Sequence, residues 1–230
     1  MKRITINRKL FELYPEMSIA VIKLNNLKND SADTENILRS AEKYVMAHYK
    51  LPILDLPEIK SWRETYKQLG VKKGSRVSSE SLLKRVLKGN NLPLINPLVD
   101  IYNAISLKYV FPCGGEDLDA TKGNIELTFA SGHESFKTIG SEINEPPVLG
   151  EVVYKDDLGC LCRCWNWREA DRTKLTHETN NAILVIESLT KDRISTLKKA
   201  VQELKILSEN HLQASVTFTI LNKDNTHWNL

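Results

Sequence analysis

Apolar residues in the first half of the chain recur every three or four positions, which is the spacing of one face of a helix. Glycines Gly70 and Gly89 follow two of these stretches, and the pair Asn96-Pro97 opens another, as is typical of a helix start. The pattern predicts helices over residues 33–49, 56–69, 78–88 and 96–107. A further amphipathic stretch near the end of the sequence predicts a helix over residues 193–210.

Strands dominate from residue 108 onward, where short apolar stretches alternate with turn residues such as Gly114-Gly115, Gly123 and Pro146-Pro147. The predicted strands span residues 108–111, 125–129, 151–154, 160–165, 182–187 and 215–220, with an early strand at 18–24. Helices first and strands second predict an α+β fold. Its N-terminal half is helix-rich, and its strand-rich half forms layered, mostly antiparallel or mixed sheets.

The 230 residues are enough for one large domain or for two small ones that share a core. We find no long linker, low-complexity tract or internal repeat in the sequence. We therefore expect a single domain over residues 1–230, with a core at about 60–190. An N-terminal α/β layer is expected over residues 1–55, and a C-terminal helix and strand over 190–222.

Charge is distributed unevenly along the chain. Residues 60–90 contain nine Lys or Arg and two acids, a net charge of +7. Residues 111–160 contain ten acids and three lysines, a net charge of −7. A basic segment beside an acidic one fits an RNA-facing surface next to a site that performs chemistry, but it also fits solvated helix faces that neutralise the acidic half.

Three of the four cysteines, Cys160, Cys162 and Cys164, alternate along one predicted strand. Alternate residues of a strand lie roughly 6–7 Å apart, which is too far for sulfurs to share one tetrahedral zinc ion. We therefore expect these three to be small buried residues on the inner face of the strand, and we expect no metal site. Reduced thiols, the lack of an opening signal peptide and the lack of a membrane-spanning apolar stretch favour a cytoplasmic protein without a membrane partner.

Several catalytic signatures do not occur in the sequence. Gly70, Gly74 and Ser75 lack the spacing and the lysine of a phosphate-binding loop, and His177-Glu178 begins a zincin motif without its second histidine. No serine lies in a nucleophile elbow. If the protein is an enzyme, its chemistry is expected to rest on a positioned water and on electrostatics, without a cofactor.

Residues 92–107, LPLINPLVDIYNAISL, resemble the IN-x-VVD-x-TN-x-x-L segment in the editing domain of the bacterial phenylalanyl-tRNA synthetase β subunit. Pro112 and Asp117 match the ends of its P-x-H-A-F-D motif. The stretch from Gly123 to Ile139 follows its pattern G-x-I-x-V-R-x-A-x-x-G-E-x-L-x-T-L. Glu178-Thr179 and the strand at 182–187 resemble its closing E-x-T-x-x-V-x-L-E. Stand-alone proteins built around this domain resemble the chain further, for instance at Trp165-Asn166-Trp167-Arg168-Glu169.

The resemblance implies a protein that hydrolyses the ester of a misacylated tRNA with a positioned water and no covalent nucleophile. Its partners would be the aminoacyl end of tRNA and the attached amino acid. The residues expected to act in catalysis are Asp117, Glu178 and Thr179. The residues expected to bind the substrate or the tRNA are Asn96, Asn103, Gly114, Gly115, Arg63, Arg85, Trp165, Trp167 and Arg168.

Two departures from the family pattern affect this expectation. Gly114 stands where P-x-H-A-F-D has its histidine, and the region around Trp165 replaces a glycine pair. The second reading is therefore a non-catalytic RNA-binding or amino-acid-sensing module that uses the same pocket, and a third is hydrolysis of another small ester or amide. Structural alternatives also stand for single residues. Asp117 could be a turn residue, and alternation could place Trp165 and Trp167 together in the core.

Overall fold

The computed structural model describes residues 2–30, 32–72 and 74–230. Its helices are α1 (Arg8–Leu13), α2 (Glu35–His48), α3 (Pro57–Gln68), α4 (Ser78–Leu87), α5 (Pro97–Tyr109) and α6 (Ile194–Leu212). Its strands are β1 (Arg3–Ile6), β2 (Ser18–Asn25), β3 (Cys113–Asp117), β4 (Ile125–Phe129), β5 (Val152–Asp156), β6 (Gly159–Arg163), β7 (Arg168–Glu169), β8 (Ala182–Ser188), β9 (Ser215–Leu221) and β10 (His227–Asn229).

The strands form two sheets. One has the order β10-β1-β4-β5-β6-β7, and the other has the order β3-β8-β2-β9. The pair β1–β4 is parallel, whereas all neighbours in the second sheet are antiparallel. The prediction of an α+β fold with mostly antiparallel or mixed sheets is therefore confirmed.

The four-stranded sheet is buried on both faces, because its alternate residues serve two different cores. In β2, Ala20, Ile22 and Leu24 pack with helices α5 and α6. Their neighbours Ile19 and Val21 pack against strands of the six-stranded sheet. This alternation follows from the two-residue period of a strand. The result is a helix layer, a middle sheet and an outer sheet, and the space between the two sheets becomes the place to look for a site.

Most predicted elements lie within two or three residues of the observed ones, but three expectations about the strands are wrong. Residues 108–109 end helix α5, and Val110 then adopts a left-handed backbone with φ of 52°. Strand β6 stops at Arg163, because Cys164 and Trp165 are also left-handed, with φ of 49° and 67°. The pair Gly114-Gly115 lies inside strand β3 rather than in a turn.

The sequence predicted that the cysteines and the two tryptophans alternate along one strand, but strand β6 ends before Cys164 and the alternation ends with it. Cys160 packs with Phe136 in a small separate cluster, whereas Cys162 lies in the core between the sheets. Trp165 is fully buried, and Trp167 is 38 % exposed. All four cysteines are free and buried. The two tryptophans therefore do not share one face, since the change of backbone direction at Cys164 turns them apart.

In the described part of the chain, no helix combines the length and the apolar character that crossing a bilayer requires.

Candidate functional site

A cavity with about 40 Å³ of room for water-sized molecules lies between the two sheets. Its walls are mainly apolar and come from both sheets, with Ile4, Ile125 and Leu161 on one side and Ile183 and Val185 on the other. Polar and small groups complete the lining: Cys113, Gly114, Gly115, Glu116, Tyr154, Cys162, Trp165, Asn166 and Glu169. The lining, mostly apolar with a few convergent polar groups, is of the kind usual for a small-molecule site, but the cavity holds only a few waters, so a ligand would have to widen it.

Two glycines allow strand β3 to run along this cavity. A Cβ atom on Gly114 would point toward the cavity and come within 3.2 Å of Oε1 of Glu169. A Cβ atom on Gly115 would point to the other face and overlap Leu184, only 2.1 Å from its Cδ2. The absence of side chains at both positions therefore keeps the cavity open on one face and the sheet closely packed on the other.

Two glutamates present their carboxyl groups to the cavity. Glu116 accepts a hydrogen bond of 2.5 Å from Oγ1 of Thr173, and burial together with the nearby Glu169 raises its pKa well above the usual range. Burial raises the pKa of Glu169 to about 7. Withdrawal from water penalises the charged form of a carboxyl group, so these two groups hold protons more tightly than they would in the unfolded chain.

The raised pKa of Glu169 makes a prediction about stability and pH. Between pH 4.5 and 7 the unfolded chain binds fewer protons at this position than the native protein, so the free energy of unfolding falls as pH rises. Replacing Glu169 with glutamine removes this contribution. We expect the E169Q variant to match the wild type near pH 4 and to be more stable by about 1–3 kcal/mol at pH 8. Chemical denaturation at both pH values measures this, and an equal stability difference at both would contradict it.

A third carboxyl group, that of Glu187, anchors the wall of the cavity from behind. Tyr154 donates to its Oε1 at 2.6 Å, the indole Nε1–H of Trp165 donates to the same oxygen at 2.8 Å, and Asn166 donates to Oε2 at 2.6 Å. Burial raises the pKa of Glu187 to about 7, against the opposing effect of these three donors. Glu187 thereby fixes the orientation of three side chains that line the cavity.

A broad depression between helices α3 and α4, which we name the basic groove, lies on the outer side of this wall. The charged side chains that line it are Lys60, Arg63, Glu64, Lys67, Lys72, Arg76 and Glu80. Among the residues that the structure describes there, five are basic and two are acidic, a net charge of +3. Glu80 pairs with Arg63 and Lys84, each at 2.6 Å, and with Arg76 at 3.7 Å, so the lining cations that it does not engage are Lys60, Lys67 and Lys72.

The basic groove and the cavity share an aromatic partition. Trp62 lines the groove, and its ring meets the cavity-lining Trp165 edge to face, with centroids 5.1 Å apart. Tyr66 also lines the groove, and its hydroxyl lies 2.9 Å from the carbonyl oxygen of Cys164 and 2.8 Å from Oδ1 of Asn166. Two contacting layers of side chains therefore separate the positive surface from the apolar interior.

The structure brings Gly114, Gly115 and Trp165 together at the cavity and places Arg63 in the basic groove. The guanidinium carbon of Arg168 lies 5.7 Å from the centroid of the Trp167 ring. Arg168 pairs with Glu145 at 2.7 Å, and exposed Arg85 donates to the carbonyl oxygen of Asn91. These last three predicted residues line neither the cavity nor the groove.

The residues expected to perform catalysis lie away from the cavity. Asp117 follows Gly115 on the helix-facing side of β3 and accepts a hydrogen bond of 2.8 Å from Thr179. Glu178 is exposed in the loop before β8. Asn96 caps helix α5 by accepting from the backbone N–H of Val99 at 3.1 Å, and it also donates to the carbonyl oxygen of Leu175. The half-buried Asn103 does not line the cavity either.

Sequence reasoning missed the glutamates of the site. Glu187 closes the E-x-T-x-x-V-x-L-E pattern, and Glu169 ends the stretch that begins at Trp165, so both were visible in the resemblance. Glu116 stands where P-x-H-A-F-D has phenylalanine, and this exchange of an aromatic side chain for a carboxylate was the clearest signal. Within the described residues, no three His, Cys, Asp or Glu side chains are grouped as a metal ion would need.

Helices on one face of a middle sheet, and a cavity between that sheet and a second one, define a domain like that of the phenylalanyl-tRNA synthetase β subunit. The family model of the B3/4 domain matches residues 61–214, about two thirds of the chain, and the protein belongs to this family.

Among solved structures, the chain is similar to an N-terminal fragment of the phenylalanyl-tRNA synthetase β subunit from Pyrococcus horikoshii, with a TM-score of 0.51 and 11% sequence identity. The alignment covers 93% of this chain and 49% of that fragment, so the chain spans about half of its length. No curated protein matches the sequence.

Proposed function

We propose that the protein is a tRNA-directed hydrolase that removes a wrongly attached amino acid from tRNA. The aminoacyl group enters the cavity between the sheets, and the acceptor end of the tRNA lies along the basic groove. Membership of the B3/4 family and the fold shared with a phenylalanyl-tRNA synthetase fragment support a tRNA-related role. Lys and Arg side chains that follow a groove are the usual contacts of a nucleic-acid backbone.

The observation that carries the proposal is the partition between the groove and the cavity. Trp62 and Tyr66 line the positive surface and contact Trp165 and Asn166, which line the cavity. A phosphate backbone in the groove would therefore end beside an enclosed apolar space. The wall between them consists of buried side chains, with Trp62 and Trp165 almost fully enclosed, so a substrate that joins a polyanion to a small side chain would have to displace part of this wall to occupy both.

The chemistry that fits the cavity is attack by water. Burial raises the pKa of Cys162 and of Cys113 well above the usual range, so both thiols stay protonated and are poor nucleophiles. The water oxygen bonds to the ester carbon, the bond to the ribose oxygen breaks, and that oxygen takes up a proton. Free amino acid and uncharged tRNA result.

In this proposal the remaining predicted residues either support the structure around the cavity or contact the tRNA elsewhere. Asn96 and the pair Asp117–Thr179 tie the start of α5 and the end of β3 to the loop before β8. They thereby hold in place the strand that carries Gly114 and Glu116. Asn103, Glu178, Arg85, Trp167 and Arg168 are proposed contacts of the tRNA outside the cavity.

The proposal is tested by incubating the purified protein with a panel of aminoacyl-tRNAs and measuring the loss of the ester bond. We expect accelerated loss for at least one of them. Replacing Gly114 with valine should abolish the acceleration, because the added side chain points toward Glu169 and fills the cavity. Thr217→Val, at an exposed position of β9, is the matched control and should retain full activity. No acceleration with any aminoacyl-tRNA, or undiminished activity in G114V, would contradict the proposal.

The second candidate is a module that binds an aminoacyl-tRNA or an amino acid without hydrolysing it. The observation in its favour is Gly114, which stands where the family motif has a histidine and leaves the described cavity lining without an imidazole. This module would bind members of the same panel, with an affinity that G114V lowers, and would leave their ester bonds intact.

A further inference from the structure

We infer that the cavity selects an amino acid whose side chain is an aliphatic chain ending in an amine. This inference rests on the proposed function and names the substrate class of the same site. It goes beyond that function, because hydrolysis of a mischarged tRNA could equally require a neutral aromatic or aliphatic side chain. The contrast between apolar walls and unpaired carboxyl groups carries the inference.

The carboxyl groups of the cavity have more acceptor capacity than the protein uses. Glu116 is only 8 % exposed, and Thr173 donates to its Oε2. Its Oε1 accepts no hydrogen bond from the described residues, and neither oxygen of the Glu169 side chain accepts one from them. These oxygens are not sealed off from water, since Glu169 is half-buried and the fully buried side-chain atoms without a partner among the described residues are four serine hydroxyls. They are therefore free to accept from a ligand that reaches the cavity.

The protein also supplies no positive charge to balance these groups inside the cavity. The described residues that line it include no Lys, Arg or His. Arg172 does not line the cavity. Its charge lowers the pKa of Glu116, but its guanidinium binds Asp156, with contacts of 2.7 and 3.1 Å. A cation from the ligand would therefore meet two carboxyl groups that have no other cationic partner among the described residues.

An ammonium group at the end of a flexible chain fits this arrangement best. It has three donors and no acceptor, so it can serve Glu116 and Glu169 together. The stem would lie against the apolar walls, as the methylene chain of lysine does on apolar surfaces elsewhere. A bare metal ion fits less well, since the described residues offer no group of three suitable ligands. The carboxylate at position 116 replaces the phenylalanine of the P-x-H-A-F-D pattern, which is consistent with a changed substrate.

Four amino-acid amides test the inference without tRNA: lysinamide, ornithinamide, norleucinamide and tyrosinamide. All carry the same α-ammonium group, so differences among them report the side chain alone. Isothermal titration calorimetry at pH 8 should show lysinamide or ornithinamide binding at least about tenfold more tightly than norleucinamide. Glu116→Gln and Glu169→Gln should each reduce this preference by a similar factor. Glu142→Gln, a change in a fully exposed carboxylate, should leave it intact.

The outcomes separate the inference from the proposed function. Equal binding of norleucinamide, tighter binding of tyrosinamide, binding of none of the amides, or a preference that both glutamine variants retain would overturn the inference. If hydrolysis is then found for a tRNA carrying a neutral amino acid, the proposed function stands alone. Selective amine binding with no hydrolysis of lysyl- or ornithyl-tRNA would support the inference and leave the binding module in place of the hydrolase. Circular dichroism and thermal unfolding confirm that each glutamine variant is folded.

Discussion

Replacing Trp165 with alanine is expected to lower the free energy of unfolding by about 3–5 kcal/mol. The side chain is fully buried, and it meets Trp62 at 5.1 Å and Tyr14 at 5.6 Å between ring centroids. Its loss would open a large void between the sheets and remove the indole donor to Glu187. Because the ring also forms the partition between the basic groove and the cavity, ligand binding should be lost with it. Chemical denaturation and calorimetry measure the two effects.

The matched control is Trp167→Ala, two positions along the chain. Trp167 is 38 % exposed, and its ring contacts Arg168 at 5.7 Å from the guanidinium carbon. An exposed cation–π contact contributes about 0.5–1 kcal/mol, so this variant should lose no more than that. Comparable losses in the two variants would show that Trp165 does not hold the sheets together as the structure indicates.

Replacing Glu187 with leucine is expected to cost about 3–5 kcal/mol at pH 6, because two buried donors and one half-buried donor lose their acceptor at once. These donors are the hydroxyl of Tyr154, the indole N–H of Trp165 and the side-chain amide of Asn166. The loss should be smaller at pH 8. Above the raised pKa of about 7, the charged carboxylate of Glu187 destabilises the native protein because it is buried. Removing it then offsets part of the free energy lost with the hydrogen bonds.

Denaturant titrations at pH 6 and pH 8 check both parts of this expectation. Glu142→Leu serves as the control, since Glu142 is exposed and forms only a surface ion pair of 3.0 Å with Lys137. That variant should change the free energy of unfolding by less than about 1 kcal/mol at either pH. A cost for E187L that grows between pH 6 and pH 8 would mean that the three hydrogen bonds outweigh burial in setting the pKa of Glu187.

The helices were predictable because their periodicity and their boundary residues agree. Asn96-Pro97 starts α5 as expected, and the glycines Gly70 and Gly89 follow α3 and α4 closely. The short elements at the two ends of the sequence were not predicted. Strands β1 and β10 and helix α1 are too brief to display a period. The two strands are stabilised by pairing with distant parts of the chain, and α1 is stabilised by burying Leu10 and Phe11.

The sequence assigned Gly114 and Gly115 to substrate binding through the resemblance and expected them in a turn. The structure places both in strand β3 beside the cavity, a position that the sequence pattern did not predict. The catalytic assignments to Asp117 and Thr179 rested on their place in a motif, and a motif does not say which face of a strand a residue occupies. Glu116 and Asp117 are adjacent in sequence but face opposite sides of β3, so only the observed sheet distinguishes them.

Strand β1 hydrogen-bonds on one side to β4 and on the other to β10, which follows it by more than two hundred positions along the polypeptide. During synthesis, one edge of β1 must therefore wait until β10 has left the ribosome. Such distant pairing raises the entropic cost of the folding barrier and delays closure of the sheet. Until β10 arrives, the nascent protein presents an unpaired strand edge, the kind of surface on which chaperones act.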